Sequence, residues 1–206
     1  MRSKGRGVAI TVATLGTFTL VGAGISVRAE ILETWHIWRL GSTSFVAKFR
    51  AARRLGELRS QRAIPGLVAL LRQSEHHQKE AAEVWGPQAG APDRVASVLE
   101  EIGPAACVPA ISVAMRESRD EKRYWRRRAC RILEMSRASE AVPVLIDLAE
   151  DGYLCVRLHA VSSLGTFGPV AKDAIPILVR ALDDRSVRQS AEHSLEAIRG
   201  PGTAAP

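Results

Sequence analysis

Residues 183–198 read DDRSVRQSAEHSLEAI, and residues 151–167, whose matching positions lie thirty-one residues earlier, read DGYLCVRLHAVSSLGTF. In both stretches a small residue comes four positions before a leucine, which places the two side chains on one face of a helix. The same spacing recurs along the chain, so one helical pattern is repeated. The five pairs are Ala51 with Leu55, Val95 with Leu99, Ala129 with Leu133, Ala160 with Leu164, and Ala191 with Leu195.

A proline follows each of the first four pairs, just after an apolar or small dipeptide. Three of these prolines lie ten residues after the leucine of the preceding pair, and the fourth lies twelve residues after it. Proline fits the first turn of a helix because its missing N–H breaks no hydrogen bond there. Each unit is therefore predicted to be a helix, a short turn and a second helix that begins near the proline. The four prolines are Pro65, Pro109, Pro143 and Pro176.

Apolar residues follow the proline at helical spacing, so each second helix is predicted to have one apolar stripe. A single hairpin cannot bury such a stripe alone, and neighbouring hairpins must stack to cover it. The chain has 206 residues, of which 46% are hydrophobic and 5% aromatic. We therefore predict an all-α solenoid of about four to five helical hairpins. The stripes are Ile64, Leu67, Val68 and Leu71 in the first unit, and Ile175, Leu178, Val179 and Leu182 in the fourth.

The repeated residues resemble HEAT-like repeats, in particular the short bacterial kind first recognised in phycobilisome lyases. The resemblance covers roughly residues 44–199 and is specific for architecture. It implies that Asp151 with Arg157, and Asp184 with Arg188, form a structural ladder between neighbouring units. Some members of the family assist the attachment of bilins to phycobiliproteins. The residues that carry the resemblance are Val156, Arg157, Ala160, Leu164 and Gly165 in one unit, and Asp184, Val187, Arg188, Ala191 and Leu195 in the next.

An uncharged apolar run at residues 8–27 follows a basic start that contains Arg2, Lys4 and Arg6. Twenty helical residues span about 30 Å, which matches the hydrocarbon core of a bilayer. Residues 1–29 are therefore expected to be a membrane anchor, or else an export signal cleaved before Glu30. An N-terminal hydrophobic helix would then precede a single-pass protein with its repeats on the extracytoplasmic side, and cleavage would make the protein secreted or periplasmic.

The remaining chain divides by composition into three parts. Residues 30–43 are expected to be a juxtamembrane linker or helix, residues 44–200 the repeat array, and residues 201–206 a flexible tail. Trp35 and Trp38 in the linker either anchor at the lipid headgroups or cap the open end of the array.

An insert of about ten residues separates the first two units, because Leu55 and Leu99 lie 44 residues apart while the next two spacings are 34 and 31. It occupies about residues 73–94. Insertions in solenoids map to one face, often the binding face. Trp85 either packs the insert against the array or awaits a partner. The nearby histidines lack the further ligands of a metal site, so no metal is predicted.

Positive charge concentrates in the third unit. The chain carries +7, and residues 119–137 contain eight basic and three acidic side chains. On a helix, Arg123, Arg127 and Arg131 form a row four residues apart. With Trp85, this row is the candidate interaction surface for an anionic ligand or an acidic partner. The alternative is a solvated face with local ion pairs.

Motifs for catalysis are absent from the sequence. It has no nucleophile elbow, phosphate loop or zinc-protease motif. Its three cysteines exclude a complete disulfide framework, and Cys107 is predicted to pack in the core. We therefore expect neither catalytic residues, nor a cofactor, nor a small-molecule substrate.

Three functions are open. The first is a non-enzymatic scaffold, tethered to a membrane through residues 8–27 or exported, that binds another protein on its concave face and insert. The second is a bilin-lyase-like accessory protein, which the family resemblance implies. The third is binding of an anionic ligand or nucleic acid through the third repeat. A nucleic acid is the less expected partner, because an exported protein would not meet one.

Overall fold

The computed structural model describes residues 27–87, 90–117 and 123–200, with side chains for all of these except residues 27–29, 116, 117 and 123. These residues form eleven α-helices joined by turns and short 3₁₀ segments, and no strand occurs among them. The helices are α1 (Val27–Arg39), α2 (Phe45–Glu57), α3 (Ile64–Gln73), α4 (Gln78–Trp85), α5 (Ala91–Ile102), α6 (Pro104–Glu117), α7 (Arg123–Ser136), α8 (Ala141–Ala149), α9 (Leu154–Thr166), α10 (Ile175–Ala181) and α11 (Arg188–Arg199).

The helices stack in two layers. One layer holds the first helix of each unit, in the order α2, α5, α7, α9 and α11, and each contacts the next. The other layer holds the second helices α3, α6, α8 and α10, again in chain order. This arrangement confirms the predicted all-α array of stacked hairpins. The hydrophobic helix expected at residues 8–27 lies outside the described residues, as does the tail at residues 201–206.

The core of the array consists of the residues that repeat in the sequence. All ten members of the small-to-leucine pairs are at most 5% exposed. The two members of each pair lie on one side of their helix, because positions four apart share a face. Trp125, in α7, is the largest fully buried side chain and lies at the centre of the stack. Repetition in the sequence is therefore repetition of buried positions.

Prolines begin the second helices with one exception. Pro65 and Pro176 are the second residues of α3 and α10, and Pro143 is the third residue of α8. Pro109 lies inside α6, so the prediction that it occupies a first turn was wrong. Gly103 ends α5 with a φ of +136°, which glycine adopts readily and other residues rarely do. Pro104 starts α6 immediately afterwards.

The apolar stripe of the fourth unit is only partly covered. Val68 in α3 is 2% exposed, whereas Val179, its counterpart in α10, is 44% exposed. α6 packs beside α3 on one side, while no further second helix follows α10 among the described residues. The position in the array, and not the residue type, decides the burial of this valine.

The expectation of a single-pass membrane protein was wrong for the part of the chain that the structure describes. None of the described helices is both long and apolar enough to cross a bilayer. The longest of them, α6 and α7, have 14 residues. At a rise of about 1.5 Å per residue, such a helix is about 21 Å long, shorter than the hydrocarbon core. Residues 8–27, on which the expectation was based, lie outside the described residues.

Close approach of α9 and α11 depends on Gly165. A Cβ atom added there would lie 2.6 Å from Ser194 Oγ and 2.9 Å from Ser194 Cα. We expect Gly165→Ala to destabilise the fold by up to about 2 kcal/mol net, because overpacking costs about 1–3 kcal/mol and alanine regains about 1 kcal/mol in helix propensity. Urea unfolding followed by circular dichroism measures the change. Gly152→Ala is the control, since a Cβ there meets nothing within 4 Å, and an equal loss in both variants would contradict the prediction.

Candidate protein-binding surface

An apolar groove runs between the neighbouring second helices α3 and α6, and we call it the α3–α6 groove. Its volume is about 600 Å³. Alanines of both helices line this groove, and their small side chains leave space between the helices. Exposed Pro65 and Pro109 line it, and Val113 is 52% exposed on its wall. The full lining is Gln61, Ile64, Pro65, Val68, Ala69, Arg72, Ala106, Pro109, Ala110, Val113 and Ala114.

The α3–α6 groove was not identified from the sequence. The signal for it is present, because Pro65 and Ala69 are four residues apart, as are Ala106 and Ala110. Such pairs place small or ring-shaped side chains on one outward face of each helix. A single helix with small outward residues is unremarkable, and the groove arises only when α3 and α6 lie side by side. Adjacency of these two helices is a property of the stack.

Arginines of α7 mostly pair with neighbouring units. Arg131 contacts Glu100 of α5 at 3.2 Å, and Arg128 pairs with Asp93, which also lies in α5. The guanidinium of Arg127 lies 6.0 Å from the centre of the Tyr124 ring. Arg123 begins α7, and its side chain is outside the described set. The basic third unit therefore contributes contacts within the array, and binding of a partner by this row stays a prediction.

The insert and the basic third unit, both singled out in the sequence, line one cleft together. A cleft of about 440 Å³ is lined by Glu75 and His76 from the insert and by Arg127 and Arg128 from α7. Its charges nearly balance, since Asp93 also lines it and pairs with Arg128. A balanced cleft gives no strong preference for an anion.

The acidic residues before α9 and α11 connect successive units. Arg126 of α7 contacts the Asp151 carboxylate at 2.7 Å, and Arg157 of α9 contacts the Asp184 carboxylate at 2.9 Å. Arg157 also donates to the Asp151 carbonyl at 3.0 Å. The side chain of Arg188 donates to the Leu182 carbonyl and makes no ion pair with the Asp184 carboxylate, while its backbone N–H donates to the Asp184 carbonyl. Each aspartate is thus paired with an arginine of the unit before it, an offset that the sequence alone did not reveal.

Asp184 is held in its charged form by local contacts. The Ser186 N–H donates to the carboxylate at 2.9 Å, and together with Arg157 it lowers the pKa of Asp184 below the ordinary value of 3.8. Hydrogen bonds to a carboxylate favour the ionised form. The turn before α11 is therefore bridged to α9 at neutral pH.

Trp85 packs the insert against the array. It is half-buried at the end of α4, and its ring centre lies 5.4 Å from that of Phe49 in the core. His77 stacks on Phe45 with ring centres 3.3 Å apart and contacts Glu80 at 3.2 Å. In the described parts of the chain, no group of three or more His, Cys, Asp or Glu side chains is placed to hold a metal ion.

The thiols of α6 and α7 lie in apolar surroundings. Burial raises the pKa of Cys107 to about 11. Burial, followed by the charge of Asp151, also raises the pKa of Cys130. Both groups stay protonated at neutral pH, and a thiol is a weak nucleophile compared with a thiolate. These two cysteines behave as small core residues.

Two family models match the chain. One is described as HEAT repeats and matches residues 108–196. The other is described as PBS lyase HEAT-like repeat and matches residues 47–73. The matched stretches include members of the buried pairs in the first, third, fourth and last units. No curated protein matches the sequence significantly.

Solved structures with a similar fold include a complex of CpcE and CpcF, the phycocyanin lyase of Nostoc sp. PCC7120. This match has a TM-score of 0.51 and 23% sequence identity, and it covers 91% of this chain and 71% of that chain. An engineered protein gives a TM-score of 0.46 and 21% identity over 82% of this chain and 79% of its own. At 23% identity, the likeness to the lyase concerns the fold.

Proposed function

The chain is a HEAT-like repeat protein, and from this premise we propose that it is a scaffold that binds an amphipathic helix of another protein in the α3–α6 groove. Stacked helical repeats present long surfaces instead of deep pockets, and such surfaces bind other macromolecules. Helix-in-groove recognition needs an apolar trough with room for side chains at helical spacing. The scaffold acts by binding and needs no catalytic residue.

This proposal is based on an exposed apolar side chain in the wall of a groove that has room for further apolar side chains. Val113 is 52% exposed although it lies beside buried Ala114 and opposite buried Val68. A groove of about 600 Å³ is large enough for two or three apolar side chains. Burial of such side chains contributes about 25 cal/mol per Å² removed from water.

A charge placed on the groove wall tests the proposal. Full-length tagged protein, made at its native level, is mildly crosslinked and purified with whatever it binds. We expect Val113→Arg to reduce the captured partner by about tenfold or more, because an unpaired charge in an apolar interface costs about 2 kcal/mol or more. Val179→Arg is the matched control, since Val179 is also an exposed valine on a second helix. Equal capture by both variants, or no partner for the unmodified protein, would show that the proposal is wrong.

A second candidate function is an accessory role in a phycocyanin-lyase-type reaction. It is supported by the PBS lyase HEAT-like repeat match at residues 47–73 and by the similarity in fold to the CpcE and CpcF complex. Addition of a free bilin to the purified chain tests this role. A shifted and intensified visible absorption band supports it, and an unchanged spectrum at high protein concentration rejects it.

A further inference from the structure

A second groove lies at the N-terminal end of the array, between α1, α2 and α4. It has a volume of about 480 Å³. Four arginines line it, and Glu83 is the only carboxylate among its lining residues. We call it the N-terminal arginine groove. The arginines are Arg39, Arg50, Arg53 and Arg54.

Positive charge in this groove is only partly neutralised. Arg53 and Arg54 share one carboxylate, Glu57, at 3.4 and 2.6 Å. Arg50 makes no ion pair with any described residue. Arg39 makes no ion pair with a described residue, and its guanidinium lies 4.6 Å from the centre of the Trp35 ring. Several kT of positive potential are typical of such a cluster.

His36 also lines this groove. Burial, followed by the charges of Arg54 and Arg39, lowers the pKa of His36, while Glu57 acts in the opposite direction more weakly. The imidazole is therefore neutral at pH 7, and its Nδ1 atom is buried without a hydrogen-bond partner among the described residues. The charges of Arg54 and Arg39 add to the effect of burial, so the groove favours a negative charge over a further positive one.

The N-terminal arginine groove continues into an adjoining stretch that is less positively charged. This adjoining stretch, of about 380 Å³, shares Arg53 and Val84 with the first. Trp85 and Val98 give it apolar surface, while Glu57 and Glu101 balance its own arginines. The combined groove is thus strongly positive at the α1 end and mixed at the α5 end.

We propose that the N-terminal arginine groove binds an acidic peptide segment of the partner protein, with its Asp or Glu side chains on Arg50 and Arg54 and an apolar side chain on Trp85. The proposal rests on the scaffold function and names a second contact of the same partner. Arginine forks bind carboxylates with two parallel hydrogen bonds. A nucleic acid fits less well, because its evenly spaced phosphates would also lie against Glu57 and Glu101.

Fluorescence anisotropy with the full chain tests the proposal. The probe is a dye-labelled ten-residue peptide with four consecutive Glu residues followed by Leu and polar residues. Its matched analogue has Gln in place of each Glu, and a single-stranded DNA of the same length is the third probe. We expect the acidic peptide to bind at least about tenfold more tightly than either other probe at low salt, and more weakly as salt rises.

Paired variants locate the binding. We expect Arg50→Gln with Arg54→Gln to weaken binding of the acidic peptide about tenfold or more, since both residues lie in the groove. Arg180→Gln with Arg185→Gln removes the same charge from exposed positions near the other end of the array, and should change the affinity less than about twofold. Circular dichroism confirms that both double variants are folded. A titration of His36 by NMR should show a higher pKa when the peptide is bound.

Three results would overturn this inference: equal affinity for the acidic and Gln peptides, tighter binding of the DNA, or equal losses in the two double variants. The scaffold function is judged separately. Val113 lies outside the N-terminal arginine groove, so the Val113→Arg variant should bind the acidic peptide normally. If Val113→Arg loses partner capture but the chain shows no preference for the acidic peptide, the scaffold function is supported and only peptide binding in the N-terminal arginine groove is rejected.

Discussion

Replacement of Asp151 by alanine is expected to destabilise the protein by about 3–5 kcal/mol, because it leaves the charge of a mostly buried arginine unpaired. The Asp151 side chain is 0% exposed, and its partner Arg126 is 19% exposed. The same carboxylate also accepts a hydrogen bond from the Tyr153 N–H at 2.9 Å, at the start of α9. Chemical unfolding followed by circular dichroism gives the change, with an unaltered denaturant dependence if only stability is affected.

Asp184 provides a matched control for this effect. It stands at the equivalent turn before α11 and contacts Arg157 in the same way, but its side chain is 35% exposed. We expect a clearly smaller loss for Asp184→Ala, because water replaces the carboxylate at an exposed site. The double variant Arg126→Ala with Asp151→Ala should lose less than the sum of its single changes. Equal losses at the two aspartates would contradict the importance of burial here.

Replacement of Trp125 by alanine is the second large effect. Trp125 is 1% exposed in α7, and the guanidinium of Arg72 from α3 lies 5.6 Å from the ring centre. Removal of the ring leaves a cavity at the middle of the stack, which for buried aromatic residues costs about 3–5 kcal/mol. Thermal and urea unfolding of the full chain measure the loss.

Trp38→Ala is the matched control, because it makes the same substitution at the surface. Trp38 is 76% exposed in α1, so Trp38→Ala should change the free energy of unfolding by less than about 0.5 kcal/mol. A loss of similar size in both variants would show that aromatic content, and not the packing of α7, determines the stability. A small loss at Trp125 alone would show that the central unit is not closely packed.

The order of the helices and the buried positions were predictable from the sequence, because each unit repeats the same physical requirement. A small residue and a leucine four apart must face a neighbour, and the five pairs do so. Pro109 departed from the pattern since Gly103 and Pro104 begin α6 earlier. Val179 departed from it because no second helix covers α10 within the described chain. The first departure comes from where a helix begins, and the second from the position of α10 at the end of the described array.

Surface contacts were less accessible to prediction, because they join residues of different units. In the sequence the arginines of α7 could form a free basic surface, but the stacking of α5 on α7 places Asp93 beside Arg128 and Glu100 beside Arg131. The α3–α6 groove similarly needs two helices 40 residues apart in the chain to lie side by side. The N-terminal arginine groove was likewise not predicted: Arg50, Arg53 and Arg54 have the helical spacing of a basic face, but the groove forms only where α1, α2 and α4 meet.

Site-specific photo-crosslinking tests the scaffold function most directly. A photoreactive amino acid replaces Val113 in one full-length variant and Val179 in another, and both proteins are made at native level and irradiated in cells. We expect a discrete adduct at Val113 that maps to an amphipathic helix of another protein, with little or none at Val179. Absence of an adduct at Val113, or the same adducts from both positions, would contradict it.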